Sequence, residues 1–246
     1  MLKVLSLFDG ISGARQALKE LNIKVDCYLS SEIDKYAIQV SRANHPDIIQ
    51  IGDVKGIDIE DGYLFYNQNN NPMRNGGSFK ADFDLLIGGS PCQNLSIAGN
   101  GEGLKGDKSS LFYEYVRILK EVKPKYFILE NVNSMKKADK ETITKELFGI
   151  EPIMINSSLL TAQTRKRLYW CGKLINGKYE QVKIDQPKDK EIYLKDIVEE
   201  AVDEKYYVSE KALSTYTFNG KIKNLKDLTE KSSCLTATCH KGFGNV

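Results

Sequence analysis

The feature that most constrains this chain is a series of short apolar runs alternating with helix-like stretches. Residues 3–8 (KVLSLF), 25–30 (VDCYLS), 48–51 (IIQI), 84–87 (DLLI) and 126–129 (YFIL) each read as a strand. Stretches 12–22, 34–43 and 110–122 read as helices between them, with Ser12 placed to cap the first. Apolar runs of four to six residues fit strands buried on both faces of a mostly parallel sheet. The expected fold is α/β, a doubly wound mostly parallel sheet. A helix near 139–147 and strands near 152–156 and 168–174 complete it. Residues 60–82, rich in Asn and Gly, read as an irregular insertion. After about residue 175 the pattern weakens. Residues 176–190 read as a linker and 192–202 as a helix, so we expect a domain over 1–175 and a small region over 176–246.

Composition excludes several classes. With 41% hydrophobic and 28% charged residues in 246, the chain is not a disordered one. No stretch approaches the roughly 18 apolar residues of a membrane helix, and residues 1–8 are too short for a signal peptide. Five scattered cysteines do not form a disulfide framework, which points to a reducing, cytoplasmic setting. The net charge of +2 leaves nucleic-acid contact to local patches. One such patch is the tail 205–246, where seven Lys stand against three acidic residues, a net +4.

Ligands of such sheets lie at the carboxyl ends of the strands. Asp9, Glu32, Asp53, Cys92 and Glu130 each follow a strand closely. In the first turn, Phe8-Asp9-Gly10-Ile11-Ser12-Gly13, glycines allow close approach to backbone at a helix start. The turn lacks the dinucleotide pattern GxGxxG, and its acidic residue suits a sulfonium or amino-acid group better than a pyrophosphate. Glu32 can accept from ribose hydroxyls and Asp53 from an adenine amino group. Cys92, in the Gly/Pro-fixed loop Gly88-Gly89-Ser90-Pro91-Cys92-Gln93, is a candidate nucleophile. Glu130 at the edge of an apolar strand needs a partner or a task. Arg165 and Arg167 fall on one face of an extended segment and can bind phosphates or base edges. Cys234, Cys239 and His240 lack a zinc spacing, and no metal is expected. His45 reads as a helix-end residue, Trp170 and Cys171 as core.

In order and spacing these blocks resemble the cytosine-C5 DNA methyltransferases over residues 1 to about 175. FDGISG looks like the first cofactor motif, GGSPCQNLS the catalytic loop, and Ser109-Ser110-Leu111-Phe112 the start of the fifth motif. Glu130-Asn131-Val132 and the block 163–167 (QTRKR) complete the set. The resemblance implies a Rossmann-like fold, S-adenosylmethionine as methyl donor, S-adenosylhomocysteine as product, and duplex DNA as partner. It implies cofactor contacts from Phe8, Asp9, Gly10, Ser12, Gly13, Glu32, Ile33, Asp53, Val54, Pro91 and Leu111. It implies catalytic roles for Cys92, Glu130, Arg165 and Arg167, and nucleic-acid contacts from Gln93, Ser96, Arg165 and Lys241. The target base would be flipped out of the duplex, with the four-glycine segment 93–108 as a lid.

The resemblance also implies a target-recognition region within 176–246 and a bacterial or phage source, in a restriction-modification setting. Family members continue into a ninth motif of LTxxE type and a tenth containing Gly-Asn. Gly244-Asn245 comes too early to be that tenth motif. We therefore expect a truncated chain, one subunit of a split enzyme completed by a second chain, or a degenerate copy. A family member acting on tRNA and an idle binding module are the competing readings. An NAD oxidoreductase lacks its turn here, and an amino-group methyltransferase lacks its Asp/Asn-Pro-Pro-aromatic motif.

Overall fold

The computed structural model describes residues 2–66, 77–91, 111–207, 209, 217–218, 221–222 and 228–233. In chain order the elements are β1 (Leu2–Leu7), α1 (Gly13–Glu20), β2 (Val25–Ser31), α2 (Lys35–Asn44), β3 (Ile49–Gln50), β4 (Ile57–Glu60), β5 (Tyr63–Tyr66) and β6 (Gly77–Lys80). There follow β7 (Leu85–Gly88), α3 (Leu111–Val122), β8 (Tyr126–Val132), α4 (Lys137–Glu146), β9 (Ile153–Asn156), β10 (Lys166–Ile175) and β11 (Lys178–Gln181).

The main sheet runs β11-β10-β8-β7-β1-β2-β3, with β9 beside β10. The stretch from β8 to β3 is parallel, and β10 and β11 add antiparallel. The doubly wound, mostly parallel α/β sheet is thus as expected. Alternate residues of the strands go to two different cores. Leu5, Leu7, Leu29, Leu86, Phe127 and Leu129 pack with α3 and α4, through Phe112, Tyr115, Ile118, Leu119, Ile143 and Leu147. Val4, Tyr28 and Leu85 pack with Leu18 of α1. Trp170 and Cys171 are core, and Trp170 Nε1 donates to Thr144 at 3.1 Å. His45 ends α2 and is buried.

Four local expectations are corrected. The insertion 60–82 is not irregular among its described residues, since β4, β5 and β6 form a three-stranded antiparallel sheet. Leu64 and Tyr66 anchor it in the larger core, and Arg117 Nη2 of α3 donates to the Ile57 carbonyl at 2.8 Å. The stretch 176–190 is not wholly a linker. Asn176 and Gly177 both have positive φ, as a two-residue hairpin turn of type I′ requires, and β11 pairs back on β10. The stretch 192–202 forms only the single turn Leu194–Asp196. Ile197, Val198 and Val202 stay exposed there, so no buried apolar face offsets the entropy of ordering a helix. Finally, β8 runs on through Glu130 and Asn131, because its antiparallel partner β10 pairs up to Val132 while β7 stops opposite Leu129.

The chain divides into two compact units, residues 1–154 with 167–184, and residues 155–166 with 185–246. In the second, Asn156 Oδ1 accepts from the amides of Ser158 and Arg165, at 3.2 and 3.1 Å. A parallel bridge joins Gln163 to Ser232. Among the described residues no helix is long and apolar enough to cross a membrane, and no group of three or more His, Cys, Asp or Glu could hold a metal.

Candidate active site

The strand order reverses its direction of growth at β1, which has β2 on one side and β7 on the other. That switch point is where an open α/β sheet leaves a crevice at its carboxyl rim. Three chain segments from this rim meet in the first unit.

The first is the turn after β1. Phe8, Gly10 and Ser12 all have positive φ, so the chain reverses sharply before α1. Side chains rarely adopt this conformation, and such strain must be held by its surroundings. The holder is Asp9. Its Oδ1 accepts from Ser6 Oγ at 2.5 Å and Tyr28 OH at 2.8 Å. Its Oδ2 accepts from Ser12 Oγ at 2.5 Å and Ser30 Oγ at 2.9 Å. The carboxylate is therefore turned inward and saturated by four hydroxyls, not presented to a cationic ligand as its place in the turn had suggested. Burial, followed by the Asp9 charge, pushes the Tyr28 phenol up, which keeps it a donor. Ser12 occupies the cap position without capping, because its hydroxyl is drawn to Asp9.

The second segment follows β2 and β3. Glu32 Oε2 accepts from Gly10 N at 2.8 Å, and Oε1 from the amides of Ile33 and Asp34 at 2.8 and 2.9 Å. These bonds tie the β2 loop to the β1 turn and leave Oε2 lone-pair capacity for a further donor. Asp53 Oδ1 accepts from Lys55 N at 3.0 Å and caps the turn that begins at buried Val54. Ile33 is 71% exposed beside Glu32, and added Cβ atoms at Gly10 and Gly13 would meet nothing within 4 Å. Two carboxylates, an exposed isoleucine and open backbone glycines suit a ligand with a ribose, a planar base and an amino-acid end. S-adenosylmethionine fits that donor set.

The third segment joins β7 to β8. Asn131 is buried, and its Nδ2 donates to the Ser90 carbonyl and Ser90 Oγ, both at 3.2 Å. Its Oδ1 accepts from Val132 N at 2.8 Å. Asn131 thus fixes the chain two residues before Cys92, a role that sequence reasoning missed. Only its place in the block Glu130-Asn131-Val132 hinted at it. Glu130 Oε1 meets Arg167 Nε at 2.8 Å, with the two side chains 32% and 18% exposed. A Cβ on Gly89 would stand 2.9 Å from Glu130 Oε2, so the glycine makes room for the carboxylate. Register explains the pair. Glu130 lies opposite Tyr169 and Arg167 is two residues along β10, on the same face.

Arg167 and Glu130 are thus brought together. Arg165 precedes β10, belongs to the second unit and accepts on its carbonyl from Ser157 N at 3.0 Å. Pro91 and Leu111 flank the segment 92–110, which lies outside the described residues and includes Cys92, Gln93, Ser96 and the whole of the segment 93–108 expected as a lid. Lys241, Cys234, Cys239, His240 and Gly244-Asn245 also lie outside them. Of the two described thiols, Cys171 is pushed up to about 11 by burial, and Cys27 is also raised by burial. Neither is poised as a nucleophile near neutral pH.

The model of the C-5 cytosine-specific DNA methylase family matches residues 2–241. The chain is 32% identical to the orphan methyltransferase M.SPRI of Bacillus phage SPR, over 89% of this chain and 56% of that protein. It is 34% identical to the Type II methyltransferase M1.ScrFI of Lactococcus lactis subsp. cremoris, over 85% and 51%. The chain therefore spans about half the length of the curated relatives it matches. A solved prophage-encoded chain of E. coli, described as a DNA modification methyltransferase, shares the fold with a TM-score of 0.53. It is 21% identical, over 82% of this chain and 57% of that one. From the apolar strand pattern to the family match, one conclusion follows: the chain belongs to the C-5 cytosine-specific DNA methylase family.

Proposed function

We propose that this chain carries the catalytic machinery for moving a methyl group from S-adenosylmethionine to C5 of a cytosine in duplex DNA. The observation that carries this reading is the Glu130 carboxylate held by Arg167 and bordered by Gly89, on the rim where β7 leads to Pro91 and Cys92.

Cytosine C5 is a poor nucleophile within an aromatic ring. The Cys92 thiolate attacks C6, forming an S–C6 bond and moving an electron pair to C5. Glu130 bonds N3 and the exocyclic amine and stabilises the developing charge. Arg167 fixes Glu130 through their ion pair, and Arg165 serves base or phosphate contact. C5 bonds the methyl group, then loses its proton. The returning electron pair expels Cys92 and restores the ring. Bound S-adenosylmethionine supplies the electrophilic methyl group and leaves as S-adenosylhomocysteine.

The turn 8–13 takes the amino-acid end of the cofactor, Glu32 the ribose, and Ile33, Asp53 and Val54 the base, with Pro91 and Leu111 bordering the pocket. Gln93, Ser96 and Lys241 serve DNA contact. The target base leaves the stack at a cost of a few kcal/mol. Catalysis falls within residues 1–175 and target recognition within 176–246. The phage and Type II relatives support a modification setting and a bacterial or phage cytoplasm.

The adduct is tested with duplex DNA carrying 5-fluorocytosine, whose C5 fluorine cannot leave as a proton does. With S-adenosylmethionine present, wild-type chain forms a complex that survives denaturing electrophoresis, and Cys92→Ser forms none. A trapped complex that persists in Cys92→Ser would remove Cys92 from the mechanism.

A further inference from the structure

We propose that Ser41 and Gln50 are positioning residues for the amino-acid end of the cofactor, acting through a buried relay that ends on Asp9. This rests on the S-adenosylmethionine reading above. Neither residue lies in a strand-end loop. Ser41 is on α2 and Gln50 on β3.

Gln50 Nε2 lies 3.3 Å from Ser41 Oγ, Ser41 Oγ lies 2.6 Å from Ser12 Oγ, and Ser12 Oγ lies 2.5 Å from Asp9 Oδ2. Ser12 and Ser41 are fully buried. The direction follows from the protons. An ionised carboxylate only accepts, so Ser12 gives Asp9 its single hydroxyl proton. Ser12 can then only accept from Ser41, and Ser41 in turn accepts from the Gln50 amide. A one-way chain of donors therefore leads from β3 through α2 to the turn after β1.

What the relay holds is conformationally costly. Ser12 has φ +65°, a region that side chains other than glycine seldom adopt. Two bonds fix its hydroxyl, one to Asp9 and one to Ser41. The relay also spans the places assigned to the other parts of the cofactor. Glu32 precedes α2, and Ser31 Oγ donates to the Gly52 carbonyl at 2.8 Å, beside Asp53. Removing the Ser41 hydroxyl leaves Ser12 with one tether and takes the acceptor from Nε2 of the half-buried Gln50. The turn loses its preorganisation, while the Glu32 and Asp53 loops keep their own backbone bonds.

The prediction is a loss confined to one end of the ligand. Binding of S-adenosylhomocysteine and of 5′-methylthioadenosine, which lacks the amino-acid end, is measured by calorimetry on the whole chain. Ser41→Ala weakens S-adenosylhomocysteine roughly tenfold and methylthioadenosine less than about twofold. Gln50→Met, at the far end of the relay, weakens S-adenosylhomocysteine about two- to threefold in the same sense. Should Ser41→Ala not fold, as judged by circular dichroism, Gln50→Met carries the test alone. Equal weakening of both ligands, or a lower melting temperature with both affinities intact, would overturn the relay and leave Ser41 a residue of the fold. Wild-type chain that binds neither ligand would overturn the cofactor reading and the relay with it.

Discussion

Glu130→Gln is expected to lower methyl transfer by about two to three orders of magnitude while leaving S-adenosylhomocysteine binding within about twofold. The carboxylate has two oxygens with separate neighbours. One meets Arg167, and the other lies where a Cβ on Gly89 would crowd it. Glutamine keeps the volume but removes the charge that Arg167 pairs with, and Arg167 is only 18% exposed. It also replaces a group that can share a proton with cytosine N3 by an amide that cannot. The loss should therefore fall on the chemical step. Single-turnover transfer together with calorimetric binding separates the two. A variant with near-normal transfer would show that Glu130 has no part in the reaction.

Gly88→Ala is expected to be the most damaging single methyl group at the switch point. The added Cβ would stand 2.7 Å from the Leu7 carbonyl oxygen and 3.2 Å from the Tyr115 ring. The first is backbone of the neighbouring parallel strand, so relief requires β1 and β7 to move apart. Tyr115 is fully buried and cannot swing away. Overpacking of this kind costs about 1–3 kcal/mol, or roughly 3–10 °C in melting temperature for a chain of this size. Both strands feed the site, β1 into the Asp9 turn and β7 into Ser90 and Pro91. Cofactor binding should therefore weaken as well. Thermal melting decides, and a variant melting within one degree of wild type would mean that the strand ends tolerate displacement.

The sheet was legible because its signal is local. In KVLSLF residues Val4 to Leu7 are buried on both faces, and in YFIL Phe127 and Leu129 are buried while Ile128 is half-buried, so burial writes itself into sequence as short, mainly apolar runs. Elements that depend on a partner were less legible. The extension of β8 through Glu130 and Asn131 comes from pairing with β10, more than thirty residues away. The Asn176-Gly177 hairpin was an available signal that the charged composition of 176–190 obscured. The helix expected over 192–202 failed for the opposite reason. Its local pattern was adequate, but among the described residues Ile197 and Val198 stay exposed.

At the site, sequence found Glu130 and Arg167 as separate candidates and could not foresee that they bind each other, since strand register is not written in spacing. Asp9 was correctly placed in the first turn, yet its partners come from β1, β2 and the start of α1, so its inward role needed coordinates. Asn131 and Ser41 carry ordinary residue types whose importance lies wholly in what they touch.

We propose that this chain directs a methyl group to cytosine C5. The most direct test is to incubate it with methyl-labelled S-adenosylmethionine and mixed-sequence duplex DNA, then digest the product to nucleosides. Wild-type chain should yield label in 5-methylcytosine, and Cys92→Ser none. Label on an exocyclic amine, transfer that survives Cys92→Ser, or no label from a chain that binds both cofactor and DNA would contradict it.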